Sequence, residues 1–180
     1  MKTAIKLFSP AVLAVLITIP ASQATAGSLL TTGSQLMVKT SVAEVIGVRE
    51  IELGRFEQGI RKSKAALART SSLSLRKPFL DNLCVAHLAI NSMEQADQYC
   101  QAAVTDGKAS AISYNNRAVM HYVLGNLEAS LEDLEAAGKH TRFQNMVASN
   151  LKIVDQQNML SKNSGLMVKK GSSFVANTIH

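Results

Sequence analysis

Cys84 and Cys100 are the two cysteines of the chain, and each stands eight residues from Ser92, the midpoint of a turn between two apolar-periodic stretches. In an antiparallel helix pair, residues equidistant from the turn face each other, which would bring the two sulfurs within bonding range. A bridge would close a loop of about 16 residues and stabilise by roughly 3 kcal/mol in the chain-entropy account. The alternative is a pair of buried reduced thiols, since a small Cys packs well where helices touch. The spacing is not Cys-x-x-Cys, so redox catalysis is not expected. His87 and His121 are the next candidates, but two imidazoles fall short of the three or four ligands a zinc site needs. They read more simply as half-buried rings filling a slot between helices, and no metal is expected. Arg55, Arg61, Lys62, Lys64, Arg69, Arg76 and Lys77 form a basic concentration. It suits either an anionic partner or a solvated outer face. No Gly-x-Ser-x-Gly, His-Glu-x-x-His, phosphate loop or haem-type Cys-x-x-Cys-His occurs. The chain therefore reads as non-catalytic, without a cofactor.

The elements that must carry these residues centre on Tyr114–Ala137. Tyr114, Ala118, Val119, His121 and Tyr122 recur at three- and four-residue steps before Gly125; Leu127, Ser130, Leu131, Leu134 and Ala137 do so after it. Each piece has about 11–14 residues, too short to stand alone as a helix, so each must bury its stripe on a neighbour. Gly125-Asn126 closes the turn cheaply, since glycine takes positive φ. The product is an antiparallel helical hairpin. Residues seven before, five after and twelve after the glycine are Ala118, Ser130 and Ala137. The same offsets from Asn91 give Cys84, Ala96 and Ala103, and from Gly54 give Gly47, Gly59 and Ala66. All nine are small, as close backbone approach requires. Two past each pivot stand Phe56, Met93 and Leu127, all large and apolar.

The pivots lie 37 and 34 residues apart (54, 91, 125). A helix–turn–helix unit with a period near 34 resembles the tetratricopeptide repeat family. The resemblance covers roughly residues 40–138 and rests on these offsets and on the strings NNRA and LGNLEAS. Glu50, His87 and His121 stand where the family usually has an aromatic, and the usual closing proline is missing. The resemblance implies an all-α, tetratricopeptide-like helical hairpin solenoid of three antiparallel helix pairs plus a C-terminal capping helix. It also implies a concave face that holds a peptide or helix of a partner protein. By offset that face would include Glu44, Val48, Ile51, Asp81, Val85, Leu88, Asn115, Val119 and Tyr122. Some family members grip a C-terminal carboxylate with Lys and Asn. Here Asn115 and Asn116 are suggestive, but the matching lysines are absent. A largely apolar groove fits an amphipathic helix or an extended segment better. Alternatively, residues 27–39 fill it, as core rather than as a site.

Residues 1–26 read as a cleaved signal peptide: Lys2 and Lys6, an apolar run, then Ala-Thr-Ala before Gly27. Periplasmic or secreted localisation follows. The remaining 154 residues (180 − 26) suffice for one domain, and 17 basic against 13 acidic residues give a mild +4. Residues 27–39 form a leader, flexible or docked on the first repeat. Residues 40–160 form the repeat domain: repeats at about 40–69, 77–104 and 111–138, and a capping helix at 141–160. Residues 161–180 are expected to be disordered. The helices are expected at 40–53, 56–69, 78–90, 93–104 and 111–124, then one after Gly125 and one at 141–160, with a Ser-rich connector at 70–77 and essentially no strand. Function is expected to be protein binding through the groove, or, alternatively, attachment to an anionic envelope component through the basic face. An uncharacterised enzyme ranks third. Nucleic acid is not expected, since no aromatics interleave the basic residues. No stable membrane insertion is expected once the signal is removed. Three repeats make a short arc, which leaves room for self-association.

Overall fold

The computed structural model describes residues 30–32, 36–106 and 108–175; the expected signal segment lies outside the described residues. Among these, two short strands, β1 (Leu30–Thr32) and β2 (Leu36–Val38), precede seven helices. The helices are α1 (Val48–Glu52), α2 (Phe56–Ala68), α3 (Leu73–Ala89), α4 (Met93–Thr105), α5 (Ala111–Val123), α6 (Leu127–Gly138) and α7 (Gln144–Val175). The fold is a helical hairpin solenoid. α1 packs on α2, α3 on α4 and α5 on α6, and each pair leans on the next through α2–α3, α4–α5 and α6–α7. α3 touches α5 and α5 touches α7, so the first helices of successive pairs line one side.

Each hairpin turns at the expected pivot. Gly54, Asn91 and Gly125 have φ of 73°, 57° and 80°. At each, the pivot N–H donates three residues back and the next N–H donates five back: Gly54 to Ile51 and Arg55 to Glu50, Asn91 to Leu88 and Ser92 to His87, Gly125 to Tyr122 and Asn126 to His121. This Schellman pattern satisfies the last carbonyls of the first helix and needs a left-handed residue, which Gly or Asn supplies. The nine small residues sit where the paired helices touch, all buried. A Cβ on Gly59 would collide with Ile51, and one on Gly47 with Ser63. Cys84 and Cys100 form a disulfide with Cα atoms 4.8 Å apart, tying α3 to α4. α3 is the central helix. Residues Leu80 through Leu88 are all buried, because other elements cover it on every side.

Four expectations need correction. α1 begins at Val48, not Thr40. Residues 42–47 form two turns closed by Val45 N–H to Val42 and Val48 N–H to Val45, and Gly47 has φ 96°. The preceding residues are held extended by long-range bonds, which a helix could not keep. α3 begins at Leu73 inside the supposed connector, with Pro78 as its sixth residue. Pro78 forgoes a bond to the carbonyl of Ser74, on an exposed turn where water reaches it. α7 starts after Phe143, whose φ is 64°, and runs to Val175, past Leu160 and into the segment expected to be disordered. Finally, the leader is not strand-free: β1 and β2 pair antiparallel, with Thr31 opposite Met37.

The disulfide closes a short loop in the most buried hairpin. The Cys84→Ala/Cys100→Ala double variant is expected to lose about 2–4 kcal/mol of unfolding free energy. Urea titration should show a lower midpoint and a slope no smaller than the parent's, since the uncrosslinked unfolded chain exposes more surface.

Candidate functional site

Residues 36–41 lie extended along the side formed by α3, α5 and α7. An extended chain sends successive side chains to opposite faces. Leu36, Val38 and Thr40 take the inward face, at 0 %, 1 % and 1 % exposure. Leu36 and Val38 join the main core with Val85, Val119 and Val147. Burying this segment removes its peptide groups from water, so each N–H and C=O needs a partner. One edge of β2 pairs with β1. The other edge meets a ladder of asparagines.

Asn150 on α7 accepts from Met37 N–H at 2.8 Å and donates to the Met37 carbonyl at 2.7 Å. Asn116 on α5 accepts from Lys39 N–H at 2.9 Å and donates to the Lys39 carbonyl at 2.8 Å. Asn82 on α3 accepts from Ser41 N–H at 2.9 Å and from Ser41 Oγ at 3.0 Å. Asn115 reinforces the first rung, donating to the Met37 carbonyl at 2.9 Å and accepting from Asn150 Nδ2 at 2.8 Å. All four asparagines are 0 % exposed. A carboxamide offers a donor and an acceptor side by side, so it fits the N–H and C=O of one extended residue. One group lacks a partner: Asn82 Nδ2 is buried without a hydrogen bond among the described residues. The chain bends at Ser41, and the third rung is half made.

The ladder follows the repeat. Asn82, Asn116 and Asn150 are 34 residues apart in turn, while the strand residues they hold are 41, 39 and 37. The strand therefore runs opposite to the order of the repeats, at about 6.6 Å per rung. Nine residues before Gly54, where the first hairpin would need its asparagine, stands Val45. The ladder stops there, and so does the strand. α7 thus occupies the place of a fourth first helix.

Most residues expected on the concave face are buried. Val48 and Ile51 are 0 % exposed, Val85 and Val119 no more than 1 %, and Asp81, Leu88 and Asn115 are also buried; Tyr122 is half-buried. Residues 36–39 of the expected leader, with Thr40 and Ser41, lie in this groove, while residues 27–29 and 33–35 lie outside the described residues. Glu44 is exposed in the turns ahead of α1, because the helix that would have aimed it at the groove does not form there. Sequence reasoning missed Asn82 and Asn150. Their signal is the 34-residue recurrence of one polar residue type.

The histidines are explained by packing across the hairpins. The residue four before each pivot meets the one eight after it. In the first hairpin Glu50 meets Lys62 as an ion pair. In the second His87 stacks on Tyr99, with ring centroids 5.3 Å apart. In the third His121 Nε2 lies 3.7 Å from Asp133. Burial, and then the charge of Lys64, hold the His87 pKa below its ordinary value. Asp133 also takes two bonds from Arg117, at 2.7 and 2.6 Å, which raises the pKa of that guanidinium. No group of three metal-ligating side chains occurs among the described residues. Several cations of the basic cluster are committed locally: Lys62 to Glu50, Lys64 over Tyr99, Arg76 near Asp106 and Lys77 to the Lys108 carbonyl.

Fold and site together define a helical-hairpin solenoid whose concave face grips an extended chain by its backbone. Comparison of the chain with protein-family models, curated proteins and solved structures gives no match.

Asp81 stands at the repeat position that Asn115 fills one hairpin later. Burial pushes its pKa up from 3.8 to about 7, against the opposing effects of a Ser113 hydrogen bond and the charge of Lys77. Its Oδ1 has no hydrogen-bond partner among the described residues. The folded chain then holds a proton that the unfolded chain has released between those two pH values. This contribution to stability is complete below the lower value, fades as pH rises through the window, and is gone above about 7. Asp81→Asn removes the titration. The variant is expected to exceed the parent by about 1–3 kcal/mol at pH 8, the gap narrowing as pH falls from about 7 towards 4. Urea midpoints across pH 4–8 measure it.

Proposed function

We propose that the chain is a non-catalytic protein–protein interaction module of tetratricopeptide-like build, exported from the cytoplasm. Its groove takes an extended segment, and residues 36–41 are the occupant it holds at rest. The observation that carries this reading is the asparagine ladder. Met37 and Lys39 are each gripped through both N–H and C=O, and Ser41 through its N–H. Recognition through main-chain groups tolerates changes in the outward side chains, so another extended segment with the same inward pattern could take the same bonds. That pattern is two aliphatic residues and a threonine at alternate positions. Export is supported by the signal-like first 26 residues, and the Cys84–Cys100 bridge is compatible with an oxidising compartment. No helix of the described residues is long and apolar enough to cross a membrane. The basic face ranks behind the groove because four of its cations already serve neighbours within the chain.

The full chain carrying Met37→Pro and Lys39→Pro tests the reading. Both substitutions remove N–H donors that hold the leader. A fluorescent peptide of residues 34–41 is expected to bind this variant saturably by anisotropy and to bind the parent far less, because the parent groove is filled. Adding Asn116→Ala removes two bonds of about 1 kcal/mol each, so affinity should fall about 10- to 30-fold. A folded double-proline variant that leaves the peptide free would refute the groove as a receptor.

A further inference from the structure

The third rung is the one place where leader and groove do not match. Asn116 and Asn150 each use both halves of the amide on one strand residue. Asn82, equally buried, uses its oxygen alone among the described residues. The strand bends at Ser41 to enter the turns at 42–47, which carries the Ser41 carbonyl away from Asn82 Nδ2. A strand that continued straight would bring that carbonyl to the waiting N–H. The groove is thus built for a straighter strand than this chain can supply to itself.

The segment that forces the bend has the features of a hinge. Its turn bonds are local, Val45 N–H to Val42 and Val48 N–H to Val45, and its one long-range main-chain bond among the described residues is weak, Ser63 Oγ to the Ile46 carbonyl at 3.4 Å. Val42 and Ile46 are 55 % and 53 % exposed, and Leu53 just beyond is 45 % exposed. Aliphatic side chains held in water beside a hinge suit a state in which the hinge opens and another surface covers them. The groove closes over Leu36, Val38 and Thr40, leaving each no more than 1 % exposed. A second copy of this chain carries that strand, that groove and that hinge together.

We propose that residues 36–41 exchange between two copies of the chain. The strand of each copy fills the groove of the other, and residues 42–47 straighten into a crossing segment. This rests on the groove being a receptor for an extended strand, and it names the occupant as the same chain. Every bond between strand and groove is remade in trans with identical atoms; the hinge gives up its two turn bonds, and the Ser41 carbonyl gains Asn82 Nδ2. In a twofold pair the two hinges pass each other, bringing Val42 and Ile46 of one copy beside those of its mate. The closed form keeps the advantage of a tethered strand, so exchange should grow with concentration.

Two experiments on the full chain test this. Deleting residues 43–45 removes the turns that fold the strand back, while inserting Gly-Ser-Gly-Ser after Glu44 relaxes them. Light scattering after size exclusion should show the deletion variant as a dimer at concentrations about 100-fold or more below those the parent needs. The insertion variant should stay monomeric. Separately, a copy with a disabled strand (Met37→Pro/Lys39→Pro) is mixed with a copy with a disabled groove (Asn116→Ala/Asn150→Ala). Native mass spectrometry should find a mixed dimer and no dimer of either alone. Absence of the mixed dimer overturns the exchange, as does a folded, monomeric deletion variant. Binding of the 34–41 peptide by the strand-disabled copy tells the two readings apart. If it binds while no mixed dimer forms, the exchange fails and the receptor groove survives; if it does not bind, both fail.

Discussion

A peptide strand cannot be buried with its polar groups unpaired, and that requirement organises this protein. Residues 36–41 contribute two of the most deeply buried side chains, Leu36 and Val38, yet their main chain lies away from water. A neighbouring strand pairs one edge. The other edge faces helices, whose own backbone groups are already used. Side chains must therefore complete the accounting, and a carboxamide is the natural choice because it offers both halves of a peptide's hydrogen bonding at once. The inside of the solenoid is accordingly polar at three or four chosen points and apolar between them.

The repeat makes the ladder possible. Three Schellman turns of the same geometry, at Gly54, Asn91 and Gly125, end the first helices alike. Small, buried residues at the same offsets let the helices of each pair approach closely. Residues nine before a pivot are then presented alike from one repeat to the next, and asparagines 34 apart come into line. The disulfide fixes the hairpin that carries Asn82 and Asp81, in the middle of the stack. Departures from the repeat are as informative as the repeat itself. Val45 replaces the asparagine of the first hairpin, and the strand leaves the groove where that rung is missing. Asp81 replaces the amide found at Asn115, and a buried carboxyl follows with its pKa near neutrality. α7 supplies the last rung without having a second helix of its own in the repeat pattern.

Much of this was legible beforehand, and the boundary is instructive. The pivots, the nine small contacts and the pairing of Cys84 with Cys100 rest on interactions within about one hairpin, where spacing from a turn determines what meets what. The first helix was misread because its apolar pattern continues through residues 42–47, while a left-handed Gly47 and a tethered Ser41 prevent it from forming there. The start of α3 was misread because a Ser-rich stretch with a proline looks like a connector, although it sits on exposed turns that tolerate both.

The amino-acid sequence by itself determined the hairpins, their number and their stacking, since turn chemistry and helical periodicity are local properties. Tertiary structure alone decided what fills the groove. The bonds that seat the leader join residues 41, 77 and 113 positions apart, and each depends on an asparagine that in isolation looks like a surface residue. Only after three helices have stacked do those amides stand in a row, at a spacing that a strand advancing two residues per rung can meet.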